Sequence, residues 1–78
     1  DLIFVRQDKV ITVCELKYQA HLIGIEIIRE MEKKCALITV PRGFTLEKAL
    51  ISRFGADPTL ISLGYFHHLI CANDFFQN

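Results

Sequence analysis

Between Asp1 and Tyr18 two runs rich in Ile, Val, Phe and Thr flank the wholly polar Gln7-Asp8-Lys9. Runs of that composition favour strands, and a short polar break between them is what a hairpin connection needs. A three-residue loop at 7–9 pairs Arg6 with Val10, Val5 with Ile11, and so on down to Asp1 with Glu15. Directly opposed residues share a sheet face, as do residues two apart on one strand. Asp1, Glu15 and Lys17 then project together at one end of the hairpin. A two-residue loop centred one position away would oppose Asp1 to Cys14 or Leu16 and send it to the other face. No Asn-Gly or Asp-Gly dipeptide forces a tight turn, so loop length decides between the two registers.

Further along, the period changes. From about Leu22 to Ile38, Gly24, Ile28, Met31, Cys35 and Ile38 recur at the three-to-four spacing of one buried helical stripe, and Arg29, Glu30, Glu32, Lys33 and Lys34 keep to the remaining surface. Glu30 and Lys34 stand four apart in the favourable order, and Lys33 and Lys34 suit the negative end of the helix dipole. Pro41-Arg42-Gly43 stops the helix. Thr45 to Arg53 fits a helix or a strand by period alone; a strand is favoured, because the sheet edge beside the Glu15–Lys17 strand has to be covered after the crossover. Asp57-Pro58 reads as an N-cap with proline at the first helical position, opening a short helix that ends by Gly64. Tyr65 to Cys71 reads as a last strand, and 73–76 as a terminal turn or short helix. The fold class is α/β, a mixed sheet with a crossover helix.

The chain has 78 residues, enough for one small domain that buries about two-thirds of its unfolded surface. Yet 51% of its residues are hydrophobic, so part of that apolar surface is expected to meet segments outside the chain. Nine Lys plus Arg balance nine Asp plus Glu, which supplies no basic excess for binding nucleic acid by counterion release. Any nucleic-acid contacts would come mainly from elsewhere in a parent protein. No apolar run approaches a membrane span and no signal-peptide pattern appears, so a cytoplasmic setting is expected. The three cysteines, Cys14, Cys35 and Cys71, lie far apart with no Cys-x-x-Cys pair and read as free thiols. Zinc is disfavoured, since His67 and His68 are adjacent and would point to opposite faces of a strand, and His21 stands alone.

The chemistry therefore centres on Asp1, Glu15 and Lys17. Magnesium takes a few carboxylate oxygens and prefers to bind together with a phosphate substrate. Asp1 and Glu15, with the Leu16 backbone carbonyl between Glu15 and Lys17, supply such a set of hard oxygens for Mg2+ or Mn2+. Lys17 has the charge to orient a water or stabilise developing negative charge during phosphodiester hydrolysis.

A bent hairpin with Asp on its first strand and Glu-x-Lys on its second resembles the motif of the PD-(D/E)xK nuclease superfamily. Within it, VITVCELKY, REMEKKCAL, TLEKALISRFG and GYFHHLI are similar to the C-terminal nuclease-like region of a group of prokaryotic AAA-like P-loop ATPases. The resemblance covers most of the chain, and only Asp1, Glu15 and Lys17 carry over from it as site residues, all three catalytic and the two carboxylates also metal ligands, beside the Leu16 carbonyl read from the residues themselves. It implies a restriction-endonuclease-like sheet, truncated at the N-terminus, since a helix and a strand usually precede the Asp strand. Residues 1–78 would be the partial C-terminal domain. The expected partners are nucleic acid, DNA foremost, an upstream P-loop ATPase domain through which ATP acts, and a second copy in a homo-oligomer. A noncatalytic interaction or regulatory module of the ATPase is the alternative, because an intact trio shows capability and not use.

Overall fold

The computed structural model of the protein describes residues 2–76, and for residue 76 the backbone alone. Strands β1 (Leu2–Val5) and β2 (Val10–Lys17) form an antiparallel hairpin; α1 (Glu26–Ala36), β3 (Thr45–Ser52), α2 (Pro58–Leu63) and β4 (His68–Cys71) follow, with a 3-10 turn over Ala72–Phe76. The sheet order is β1-β2-β3-β4, with β2, β3 and β4 mutually parallel. The domain is thus a mixed four-stranded α/β sheet with two crossover helices.

The hairpin adopts the register of the three-residue loop. Val5 faces Ile11 and Leu2 faces Cys14. The Arg6 amide donates to the Val10 carbonyl at 2.8 Å and the Lys9 amide to the Arg6 carbonyl at 3.2 Å, closing the loop around Gln7-Asp8-Lys9. Lys9 supplies the left-handed residue that such loops use before the second strand, with φ 63°. Asp1 lies outside the described residues.

Both helices cover one face of the sheet. Val13 and Leu50 from the central strands, Ile27 and Met31 from α1, Leu60 from α2, and Ile23 and Phe66 from the connections form a single core cluster. On the opposite face the small, buried side chains of Thr12, Cys14 and Ala49 floor a concavity of about 480 Å³ walled by Phe4, Ile51 and Ile70. Neither helix packs there, and Leu2 and Phe4 are about half exposed. Leu2, Ile3, Phe4 and Val5 along β1 are exposed, and so are apolar side chains elsewhere, among them Leu37, Ile61, Leu63 and Phe75.

Two elements, α1 and β4, differ in extent from the sequence reading. The helix expected from Leu22 starts only at Glu26, because Ile23 pairs with Ala56 in an isolated parallel bridge. The Ile23 amide donates to Gly55 at 2.9 Å and the Ile23 carbonyl accepts from the Asp57 amide at 2.8 Å, which holds this stretch extended. Gly24 therefore lies outside the helix, and the buried stripe runs through Ile27 and Met31, flanked by half-buried Ile28 and Cys35. The helix also ends at Ala36, ahead of the turn at Pro41-Arg42-Gly43. The last strand is shorter than Tyr65–Cys71, because Tyr65 and Phe66 turn inward against each other edge-to-face at 5.1 Å. Thr45–Ser52 is a strand, as its place beside β2 requires.

Helix α2 has only 6 residues and depends on its ends. The Asp57 carboxylate accepts from the Leu60 amide at 2.9 Å, Pro58 opens the first turn, and Gly64 closes the helix in the left-handed region at φ 63°. Because α2 carries buried Leu60 into the core, Asp57→Ala is expected to lower unfolding free energy by about 1 kcal/mol and Asp57→Asn by much less. Urea denaturation of both variants checks this; equal losses would assign the effect to the charge and not to the cap.

Candidate functional site

Glu15 lies near the C-terminal end of β2, on the face covered by the helices. Its side chain is only 2% exposed. A carboxylate at that depth is costly unless cations and hydrogen bonds compensate it. Lys17, two residues along the same strand and hence on the same face, brings its Nζ to 3.6 Å from Glu15 Oε1. Lys34, from the last turn of α1, contacts and donates to Glu15 Oε2. Lys17 also reaches Glu30 of α1 at 3.3 Å. The four groups form a chain of alternating charge, Glu30–Lys17–Glu15–Lys34, that ties the helix to the strand.

Next to this chain a cleft of about 150 Å³ opens between β2 and α1, lined by Lys17, Gln19, Glu26 and Glu30 over an apolar base of Ile23 and Ile27. Its position at the carboxyl ends of parallel strands is where open α/β sheets commonly bind ligands. Glu26 is engaged at the start of α1, where its Oε1 accepts from the Gly24 amide at 3.3 Å.

Of the expected site residues, the structure brings Glu15 and Lys17 together on one face. Leu16 sits between them with its side chain on the other face. The Arg6–Val10 hydrogen bond fixes the alternation of the ladder, which turns the peptide groups of Val10, Thr12, Cys14 and Leu16 toward the β1 edge. The Leu16 carbonyl therefore faces that edge beyond Cys14, the last β2 residue paired with a described residue of β1. Asp1 falls outside the described residues. Among the described residues no three His, Cys, Asp or Glu side chains gather as a ready-made metal cage.

The histidines stand away from this centre. β4 pairs with β3 and not with β2, so His67 and His68 do not flank Glu15. His67 Nδ1 accepts from the Lys48 amide at 3.0 Å. His68 Nε2 lies 2.9 Å from Glu47 Oε1 on the rim of the second sheet face. The hydrogen bond from His68, with further help from the nearby charges of His68 and Arg6, holds the Glu47 carboxyl below the usual carboxylate range. The described cysteines are free, and burial pushes the Cys14 and Cys35 thiols up, which makes them poor nucleophiles. At the edge of the core, Tyr65 donates to Glu32 and its ring lies 4.1 Å under the Lys48 ammonium. Burial, then the bond to Glu32, raises the Tyr65 phenol well above its ordinary range.

Lys34 is the site residue that sequence reading placed on the solvated face. A signal for it existed: Ile27, Met31, Lys34 and Ile38 also follow a four-three-four spacing, one residue out of phase with the Gly24–Ile28–Met31–Cys35 stripe. No protein-family model matches the chain, nor does any curated protein or solved structure.

The charge chain makes a stability prediction. Lys34→Ala leaves the buried Glu15 carboxylate short of one cation and is expected to cost about 1–3 kcal/mol. Its exposed neighbour Lys33→Ala should stay within about 0.5 kcal/mol of the parent. Chemical denaturation of the two variants, with Glu15→Gln to complete a double-mutant cycle for Lys34, gives the comparison; equal small effects at both lysines would show that the contact adds nothing.

Proposed function

We propose that this domain is a metal-dependent phosphodiesterase, the nuclease-like C-terminal domain of a prokaryotic P-loop ATPase. The observation that carries the reading is the placement of Glu15 and Lys17 on one face, at the carboxyl end of a central strand and beside a polar cleft. The Glu-x-Lys resemblance supplies the chemical class, and the strand–helix–strand arrangement is consistent with a restriction-endonuclease-like sheet.

The donor chemistry fits a hard cation. Mg2+ commonly binds through one or two carboxylates plus the phosphate of its substrate, keeping several waters, and so needs no all-protein cage. Glu15 and the Leu16 carbonyl would hold it, with Asp1 as the second carboxylate of the motif. Such an ion, when bound, supplies polarisation of a phosphoryl oxygen and activation of water. Lys17 contributes a fixed positive charge near the position where negative charge develops, in a partly buried setting that strengthens it. Ile23 and Ile27 at the cleft base limit water around the reacting group. DNA is the proposed substrate, the upstream ATPase domain the source of nucleotide dependence, and a homo-oligomer the proposed assembly. Among the described residues no helix is long and apolar enough to cross a membrane.

The second reading is an interaction or regulatory module on the same fold. The apolar concavity on the uncovered sheet face favours it, because that surface suits a docking segment better than a polyanion.

With the domain in its full-length polypeptide, Glu15→Gln is expected to abolish Mg2+- or Mn2+-dependent phosphodiester cleavage while circular dichroism stays unchanged, because the amide keeps the shape and loses the charge. Lys17→Ala is expected to lower turnover by about 10²-fold or more with a smaller effect on metal affinity. ATP hydrolysis should be largely spared in both. A purified protein that cleaves neither DNA nor RNA with any divalent metal, and whose cellular activity survives Glu15→Gln, would transfer the assignment to the interaction module.

A further inference from the structure

We infer that the outer edge of β1 is a self-pairing surface: two copies of the chain join through Leu2–Val5, antiparallel across a two-fold axis at Phe4, into one continuous sheet. The inference gives the homo-oligomer proposed above its interface. It rests on none of the chemistry at Glu15 and can fail without it.

β1 ends the sheet, with β2 on one side and no described strand on the other. The Arg6 amide bonds the Val10 carbonyl, so alternation along the antiparallel ladder turns the peptide groups of Leu2, Phe4 and Arg6 toward β2 and those of Ile3 and Val5 outward. Ile3 and Val5 therefore each offer an N–H and a C=O on the open edge. Such an edge is ordinarily blunted by a charge, a proline or a bulge. Leu2-Ile3-Phe4-Val5 carries neither charge nor proline, its register with β2 is unbroken, and all its side chains are exposed, Val5 at 71%.

The edge is self-complementary. With Phe4 opposite the partner's Phe4, across an axis normal to the sheet, Ile3 stands opposite the partner's Val5 and Val5 opposite the partner's Ile3. Both outward residues of each copy then exchange both backbone hydrogen bonds. An axis at Ile3 or at Val5 would instead set the other of the two against a residue outside the strand. The faces match as well: Phe4 meets Phe4 along the wall of the apolar concavity, and Ile3 meets Val5 on the helix-covered side, where exposed Leu37 flanks Ile3 around an apolar recess. No like charges confront each other, because Arg6, the first charge after the strand, falls opposite the partner's Leu2 and can lay its apolar stem on it. The contact is isologous, so it closes at two copies and uses up the open edge.

The test is sedimentation equilibrium of the protein over a concentration series, where a reversible monomer–dimer equilibrium is expected. Val5→Pro removes an outward donor and none of the bonds to β2. Ile3→Lys sets a charge on the edge. Each is expected to weaken the dimer at least about tenfold with the circular dichroism spectrum unchanged. Ile61→Lys, at an exposed apolar position of α2, should leave the dimer as it is. If Val5→Pro does not fold, Ile3→Lys decides. Under mild oxidation Phe4→Cys is expected to form a disulfide between the two substituted positions, located by peptide mass mapping, because directly opposed residues of a non-hydrogen-bonded pair lie within disulfide reach. Val5→Cys, opposed to the partner's Ile3, should not join to itself. A protein that stays monomeric up to about 1 mM, or a dimer as tight in Val5→Pro and Ile3→Lys as in the parent, overturns the self-pairing edge. Slow hydrogen exchange at Ile3 and Val5 in a monomer would assign the edge to another segment of the same polypeptide. A dimer broken by the edge variants but without the Phe4 cross-link overturns the Phe4-centred register.

Discussion

A carboxylate buried against a parallel strand pair is the constraint on which the rest of the domain turns. Glu15 neighbours Leu50 across the β2–β3 ladder, both on the helix-covered face, and shares that face with Val13. An ionised group at that depth is tolerated only with close compensation. The compensation arrives from two directions, along β2 from Lys17 and across the interface from Lys34 of α1. The ion pairs therefore do more than neutralise charge: they fix how α1 sits over the strand, and with it the cleft whose walls are Lys17, Glu26 and Glu30.

The two faces of the sheet have different physical fates. On one, α1 and α2 seal a core in which Met31 is completely buried. On the other, a floor of small side chains lies between larger apolar ones, and the hydroxyl of Thr12 is buried without a hydrogen-bond partner. Sheets built from parallel strands are ordinarily covered on both sides. The composition of β2 and β3 agrees in part, since Thr12, Cys14 and Leu16 of β2 and Ala49 and Ile51 of β3 keep the second face apolar or small apart from Glu47 at its rim. The rim of this second face is polar, with Arg6 bonded to Asp8 and facing Glu47, and Glu47 meeting His68. A face of this kind suits association.

Much of the local architecture was legible in the chain because it depends on neighbours in sequence. The polar triplet Gln7-Asp8-Lys9 marked the hairpin connection while leaving two registers open, of which the structure takes the one that puts Val5 opposite Ile11, and alternation along β2 put Glu15 on the same face as Lys17. Asp57, Pro58 and Gly64 marked both ends of α2, since caps and left-handed closures are properties of single residues. The strand over Thr45–Ser52 was ambiguous by period and was resolved by the need to pair the open edge of β2.

Tertiary structure decided what periodicity left degenerate. Residues 22–38 contain two stripes one position apart, one through Gly24, Ile28 and Cys35 and the other through Ile27 and Lys34, with Met31 and Ile38 in both. The bridge between Ile23 and Ala56, residues remote in sequence, drew the first turn out of the helix and brought Ile27, Met31 and Lys34 over the sheet. Whether Lys34 is a solvated lysine or the partner of a buried carboxylate depends on that rotation, which no local propensity encodes. The sequence by itself determined the hairpin and the shared face of Glu15 and Lys17, because side-chain alternation along a strand is a local rule, whereas the choice between two hairpin registers was made by the folded loop. Only the packing of α1 against β2 decided that Glu15 would be buried and that a second lysine would hold it, because burial and ion pairing are properties of residues that meet in space.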